Sequence, residues 1–472
     1  MNNKITSRDV DFAAWYTDVV EAARLARYSS VKGCTIFEPN GCALWESIKN
    51  NMDALFKKTG HKNVMMPLFI PENLLKKEGE LVEGFAPEVA WITMGGSKVL
   101  EERLAVRPTS ETLFSDYYSE IVKSYKDLPL LYNQWCSVVR WEKETRPFLR
   151  SREFFWQEGH TVHATSTEAE EETRRMLNVY KTFFEEYLAV PVIAGRKTEK
   201  EKFTGAEYTL TIEALMYNGI CLQSGTSHYF GQKFSKAYDI KFLNKENTWE
   251  YAYQTSWGSS NRMIGALIMV HADDYGLVLP PRIAPIKVCV IPIGNDENVT
   301  STSKMISEKL DAASISYIIM DNDKTPGYKF AEAEVNGYPV RIEIGKRDLE
   351  NNTIALVRRD TREKITISKD SDITKELNIL FDDIQNNLYQ KAKKRMEEKT
   401  YSASNMKEMI DIINEHPGFV KAPWCGNMSC EEKLKNESGI KSRCILEDEK
   451  VNSKCAICGE DAKHLVVWGI QY

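Results

Sequence analysis

The chain lacks any apolar run long enough to span a bilayer, and its first residues lack the positive n-region and apolar h-region of a secretory leader. These absences argue against a membrane-spanning or secreted class and make the cytoplasm the expected location. Net positive charge is missing as well: 62 Lys and Arg stand against 68 Asp and Glu, leaving −6. That excludes a generic polyanion coat, although a local basic surface on an acidic protein still suits RNA. Candidates for such a surface are Lys391 to Arg395 (KAKKR), the pair Arg358 and Arg359, and the group Lys433, Lys435, Lys441 and Arg443. Taken singly, each is more often a solvated charged face. Cysteine is sparse over most of the length; five of the ten lie scattered before residue 290 and read as small buried hydrophobes. The remaining composition, 42% hydrophobic and 28% charged, is that of a globular protein, and 472 residues predict two or three domains.

Three segments stand out against this background. Val139 to His160 (VRWEKETRPFLRSREFFWQEGH) reads as a hairpin, with Val138, Val139 and Trp141 leading in and Phe154, Phe155 and Trp156 leading out. Strand alternation predicts Arg140 and Glu142 on one face of the incoming arm. Arginine at both ends of the loop, Arg140 and Arg150, favours an anionic nucleotide, because guanidinium forks match phosphate geometry where lysine offers a point charge. Trp257 to Asp274 reads as a helix start capped by Ser259 or Ser260, with Ile264, Leu267, Ile268 and His271 at helical spacing. Arg262 then falls in the first turn, where the helix end itself favours anions. Gly60 to Pro67 (GHKNVMMP) is a helix-ending glycine followed by a short apolar strand, after a stripe of Leu44, Trp45, Ile48, Met52, Leu55 and Phe56.

Between these segments, a helix is expected from Thr167 with Glu170 in a capping box, ending before Pro191. Glu207 to Ala214 (EYTLTIEA) alternates strictly, predicting a mostly antiparallel sheet with Thr209, Thr211 and Glu213 on a polar, ligand-facing side. From Ile286 the pattern changes to alternating strands and helices, a compact α/β unit in which Arg341, Glu343, Lys346, Arg347 and Asp348 share one edge. They suit the reading of unstacked bases, and suit surface salt bridges equally. Cys425 and Cys430 (CGNMSC) with Cys455 and Cys458 (CAIC) form two short pairs, which suits a closed structural Zn2+ site, with Cys444 as a spare thiol.

Together the three segments resemble motifs 2, 3 and 1 of class II aminoacyl-tRNA synthetases. Further words narrow the resemblance to the prolyl-tRNA synthetase family of the archaeal and eukaryotic type: RPTSE (Arg107 to Glu111), WQEGH (Trp156 to His160), QSGTSH (Gln223 to His228) and GQKFSK (Gly231 to Lys236). The resemblance covers essentially the whole chain. It implies an α+β and α/β multidomain architecture: a class II catalytic domain with an antiparallel sheet over 1–283, an anticodon-binding domain over 284–385, and a small zinc-binding domain over 386–472. It also implies a homodimer built on the motif 1 helix and strand, which fit an ordinary core helix as well, and substrates L-proline, ATP with Mg2+, and tRNA(Pro).

By the same resemblance, Arg140 bridges the proline carboxylate and the α-phosphate, Arg150 and Ser151 hold the outer phosphates, and Phe154 and Arg262 sandwich adenine. Glu142 either accepts from the adenine amino group or orients Arg140. Gln223, Thr226 and Ser260 match nucleotide contacts, and Gln223 also matches a magnesium-positioning residue. Thr109 and Glu111 match the imino-group site; Trp156, His160 and His228 wall the ring pocket, with Glu158 as buttress. Tyr472 matches a terminal tyrosine whose carboxylate approaches the active site. The chain departs from the family's commonest residues at Asn261, Tyr229, Phe230 and Lys233, and the interval from Glu142 to Arg262 leaves no room for an editing insertion. Two other readings stay open: a threonyl or glycyl enzyme, which Thr109, Glu111 and WQEGH disfavour, and a non-catalytic RNA-binding paralogue, which predicts loss of a phosphate arginine.

Overall fold

The computed structural model describes residues 5–77 and 89–472. The stripe of Leu44, Ile48, Met52 and Phe56 is the buried face of helix α1 (Pro39–Lys58), which opens on proline and stops at Gly60, where φ is 89°. Strand β1 (Lys62–Asn63) is shorter than the apolar pattern predicts. It pairs only with one edge of the sheet, and Met66 already turns its N–H to the Gln134 side chain, leaving Met65 95% exposed.

Helix α2 (Glu111–Ile121) and strands β2 (Leu130–Val139) and β3 (Glu153–His163) follow. Helix α3 (Ser166–Thr182) begins two residues earlier than expected: the Thr165 hydroxyl accepts from the Glu168 N–H, and the Glu168 carboxylate from the Ala164 N–H. The S/T-x-x-E pattern occurs twice here, and the first copy wins because β3 ends just before it. Strands β4 (Val192–Arg196), β5 (Tyr208–Leu215), β6 (Cys221–Gly231) and β7 (Tyr253–Ser260) lead into helix α4 (Arg262–His271). Leu210 and Ile212 of β5 pack with Met176 and Tyr180 of α3 and Trp257 of β7 in the largest core, as the alternation predicts.

The second unit is a five-stranded sheet. Its strands are β8 (Val288–Ile293), β9 (Tyr317–Ile319), β10 (Val340–Gly345), β11 (Thr353–Arg358) and β12 (Lys364–Ser368), in the order β9-β8-β10-β11-β12. Its central pairs β9/β8 and β8/β10 are parallel. Helix α5 (Ile373–Glu398) runs from this unit into the third, so position 385/386 lies inside one continuous helix. The third unit adds β13 (Thr400–Ser402), β14 (Phe419–Trp424), helix α6 (Met428–Ser438), β15 (Lys441–Ile445) and β16 (His464–Gly469). These strands extend the first sheet, giving eleven strands in the order β13-β14-β16-β15-β4-β5-β6-β7-β3-β2-β1. The two parts join through the pair Ile445↔Arg196. Among the described residues, no helix is long and apolar enough to cross a membrane.

Several basic candidates are spent on internal ties. Arg359 makes two bonds to Asp273, at 2.6 and 2.8 Å, fastening the second unit to the first. Arg358 pairs with Asp360 and Asp383, Arg395 donates to the Val270 carbonyl, and Arg443 is wholly buried. Arg341 and Glu343 bond each other rather than presenting free edges, and Glu343 also takes Lys364. Of the five scattered cysteines, Cys221 and Cys289 are buried as expected, whereas Cys42 is exposed and Cys34 and Cys136 are half-buried; Cys42 lies in the first turn of α1, and the Cys136 sulfur meets the Glu158 carboxylate.

Gly159 of β3 lies under Trp257, and a β-carbon there would stand 2.0 Å from the indole. Gly159→Ala is therefore expected to lower stability by about 1–3 kcal/mol or more through overpacking. A thermal melt unchanged from the parent protein would contradict this packing.

Candidate active site

One cavity of about 320 Å³ opens on the polar face of the sheet. Arg140, Arg150 and Arg262 all line it, together with Thr109, Glu111, Glu142, Ser151, Phe154, Trp156, Glu158, Gln223, Thr226, His228 and Ser260. The face is built by strand alternation: Phe154, Trp156 and Glu158 share one side of β3, while Gln157 and Gly159 turn to the core. On β6, Gln223 and Thr226 would point to opposite sides of a regular strand. A bulge makes Ser224 the extra residue, since Ile212 pairs with Gly225 and Glu213 with Gln223, and so brings both side chains to the cavity.

The hairpin departs from expectation at its tip. Strand β2 ends at Val139, so Arg140 and Glu142 belong to the loop and reach the cavity through a tight turn, Glu142 N–H to Arg140 O at 2.7 Å, not through alternation. Arg140 sits 5.4 Å from the Phe154 and Trp156 ring centres and donates to the Pro108 carbonyl. Arg150 lies 3.9 Å from Glu142. The Ser151 hydroxyl donates to the Glu153 carbonyl. Helix α4 is capped neither by Ser259 nor by Ser260: Asn261 holds the cap position without a side-chain bond, because β7 continues through Ser260. The Ser260 hydroxyl still accepts from the Arg262 N–H at 3.3 Å. Arg262 itself bonds the carbonyls of Leu149 and Gln223. Burial, then the nearby Arg150 and Arg140, bring its guanidinium down to about 10, still charged at neutral pH.

At the other end, Thr109 donates to Glu111, and Ser256 reaches the second Glu111 oxygen at 3.3 Å. Glu158 is buried, yet it accepts from the Ser110 N–H and hydroxyl, from Gln134 and from His160. Burial would raise its carboxyl; His160, Ser110 and Gln134 more than offset this and hold it below the usual range. His160 does not wall the cavity: it stands behind Glu158, stacked 4.2 Å from Phe114. His228 does line it, bonded to Thr209 and Thr226, and burial with His160 and Arg140 nearby lowers it to about 3.

The sequence reading missed Lys197, Glu201 and Phe203, which also line the cavity. Their segment, KTEKEKF, is dense in charge and reads as a solvated loop. It also missed Ser110 and Gln134, the supports of Glu158; Ser110 lies inside the RPTSE word, while Gln134 carries no local signal. Gln223 offers a single amide oxygen; the group of three metal-binding side chains that does gather at the cavity, Glu111, Glu158 and His160, does not include it. Tyr472 packs against the first core, and its phenol engages Arg146 of the hairpin loop.

Outside the cavity lining, the sulfurs of Cys425, Cys430, Cys455 and Cys458 lie within 4.8 Å of one another. Four soft donors closing on one point fit a tetrahedral Zn2+. Cys444 is no reserve ligand: it is buried in a separate apolar cluster with Cys221, Phe419 and Val467, because β15 directs it toward Gly195.

The fold and this cavity define a class II tRNA synthetase: residues 96–271 match the family described as tRNA synthetase class II core domain (G, H, P, S and T). Residues 287–377 match an anticodon binding domain, and residues 406–472 match the family described as Prolyl-tRNA synthetase, C-terminal. The chain is 56% identical to a proline-tRNA ligase of Lachnoclostridium phytofermentans over 470 residues, 99% of this chain and 98% of that protein. It is 55% identical to one from Clostridium novyi and 54% to a proline-tRNA ligase 2 of Bacillus cereus, with the same coverage. The chain belongs to the prolyl-tRNA synthetase family.

Burial keeps His163 at about 4 and His228 and His271 at about 3. Below about pH 6.5 the unfolded chain binds protons on these rings while the folded chain does not, so stability falls with pH by about 1.4 kcal/mol per unit and per histidine until the folded values are reached. His271→Gln, outside the cavity, is expected to flatten the acid side of the stability curve by one such contribution. Urea midpoints between pH 7 and 5 test it; an unchanged slope refutes it.

Proposed function

We propose that this protein activates L-proline with ATP to prolyl-adenylate, releasing pyrophosphate, and transfers the prolyl group to tRNA(Pro), releasing AMP. The observation carrying this reading is the convergence of Arg140, Arg150 and Arg262 on one cavity whose far end holds Thr109 and Glu111. The proline carboxylate attacks the α-phosphorus in line with departing pyrophosphate, so negative charge on both partners must be offset at once. Arg140 does this between them. Arg150 and Ser151 hold the outer phosphates, and Phe154 and Arg262 sandwich the adenine. Gln223, Thr226 and Ser260 fix the nucleotide; Glu142, within 3.9 Å of Arg150, steadies the loop or accepts from the adenine amino group.

Glu111 with Thr109 receives the secondary ammonium, a charge-assisted bond. Trp156 and His228 wall the ring, and Glu158 holds this end rigid with His160 behind it. No general base is needed, because the attacking carboxylate is already ionised. Mg2+ bound with the triphosphate would supply charge neutralisation of the leaving group, and Gln223 would help position it. The four clustered cysteines hold a structural Zn2+. The boundaries 1–283, 284–385 and 386–472 separate catalytic, anticodon-binding and zinc-binding domains, the last two sharing helix α5. Exposed Met65, Leu68 and Phe69 beside motif 1 support a homodimer there, and the cytoplasm is the proposed location.

Pyrophosphate exchange with a panel of amino acids tests this reading. Proline is expected to be the best substrate, and Arg140→Ala to lose on the order of a hundredfold or more in rate. Preference for threonine or glycine, or no exchange with any amino acid, would overturn it. Alanine or cysteine should be activated measurably, since a pocket rejects a smaller side chain by only about 1–3 kcal/mol per methylene, and the resulting alanyl-tRNA should persist.

For the metal, elemental analysis is expected to give one zinc per chain, lost in Cys455→Ser. Full zinc content in that variant would refute the four-cysteine site.

A further inference from the structure

We propose that Arg443, in the C-terminal unit, is a positioning residue for the wall of the catalytic cavity, acting through Glu201. The inference rests on the ligase reading above and extends it to a residue outside the cavity. The segment between β4 and β5 carries Lys197, Glu201 and Phe203 into the cavity wall. Phe203 lies 4.8 Å from His228, at the end assigned to proline. That segment is held from behind by the C-terminal unit: Thr198 donates to Glu431 at 2.8 Å and meets the Ser442 hydroxyl at 3.2 Å, and Lys200 pairs with Glu432 at 3.3 Å.

Arg443 completes this hold. Its side chain is fully buried, its Nε bonds the Ser442 carbonyl, and the carboxylate it faces is Glu201, 3.7 Å away. Its two terminal nitrogens have no hydrogen-bond partner. A buried guanidinium left short of bonds is costly, and a residue chosen for packing alone would be apolar. Aimed at a carboxylate on the cavity wall, the charge instead fixes where that wall stands.

Steady-state pyrophosphate exchange on the full chain tests this with Arg443→Met, Arg443→Lys, Glu201→Gln and the double variant Arg443→Met with Glu201→Gln. Exchange by the unaltered protein separately checks the ligase reading. If Arg443 acts through Glu201, Arg443→Met raises the KM for proline by about tenfold with the KM for ATP within about twofold. Arg443→Lys restores much of the loss, and the double variant is no worse than Glu201→Gln alone. Additive effects, or equal changes in both KM values, overturn the proposal. Should Arg443→Met fail to fold, Thr198→Val decides: a selective rise in the proline KM supports the hold on this segment, and an unchanged one refutes it.

Discussion

Three like charges crowded into one partly dry cavity set the terms for everything around them. Arg262 is brought down to about 10 by burial and by Arg150 and Arg140, so the cavity disfavours part of its own charge. Glu142 and Glu213 offset part of that charge from a distance, but among the described residues no carboxylate hydrogen-bonds Arg262. The protein anchors the guanidinium through the carbonyls of Leu149 and Gln223, neutral acceptors that fix its direction and leave its field intact. A polyanion arriving here relieves a repulsion that folding built in, and the field is in place before the ligand.

The opposite end is organised by the reverse device. Glu158 is a buried carboxylate saturated by Ser110, Gln134 and His160, so it stays ionised and rigid without facing a free cation. Glu111, beside it, is bonded more lightly by Thr109 and Ser256. One carboxylate is thus saturated and the other only lightly bonded, although the two are 47 residues apart and look alike in isolation. The sheet makes this division possible: alternation on β3 and one bulge on β6 bring side chains of mixed parity to a single face.

Much of this was legible in the sequence because it rests on local pattern. The stripe of α1, the alternation of β5 and the motif arginines each announce themselves within a dozen residues, and the cysteine pairs close as their spacing predicts. What was not legible depends on distant partners. Arg359 and Arg443 read as surface cations, yet each is neutralised by a carboxylate far away in the chain, Asp273 and Glu201. His160 read as a pocket wall because its word contains Trp156 and Glu158, but Phe114 draws it to the rear. KTEKEKF read as solvated because charge density carries no sign of the domain that covers it.

The continuous sheet has a cost in its connection. At Ile445↔Arg196 the ladder passes from one domain to another through a single rung. At that rung the C-terminal unit covers the Arg196 end of β4. Removing that unit would turn an interior strand into a raw edge, the kind of surface on which chains stack into aggregates. The small cysteine-bearing unit thus also covers one end of a strand that its larger neighbour would otherwise leave open.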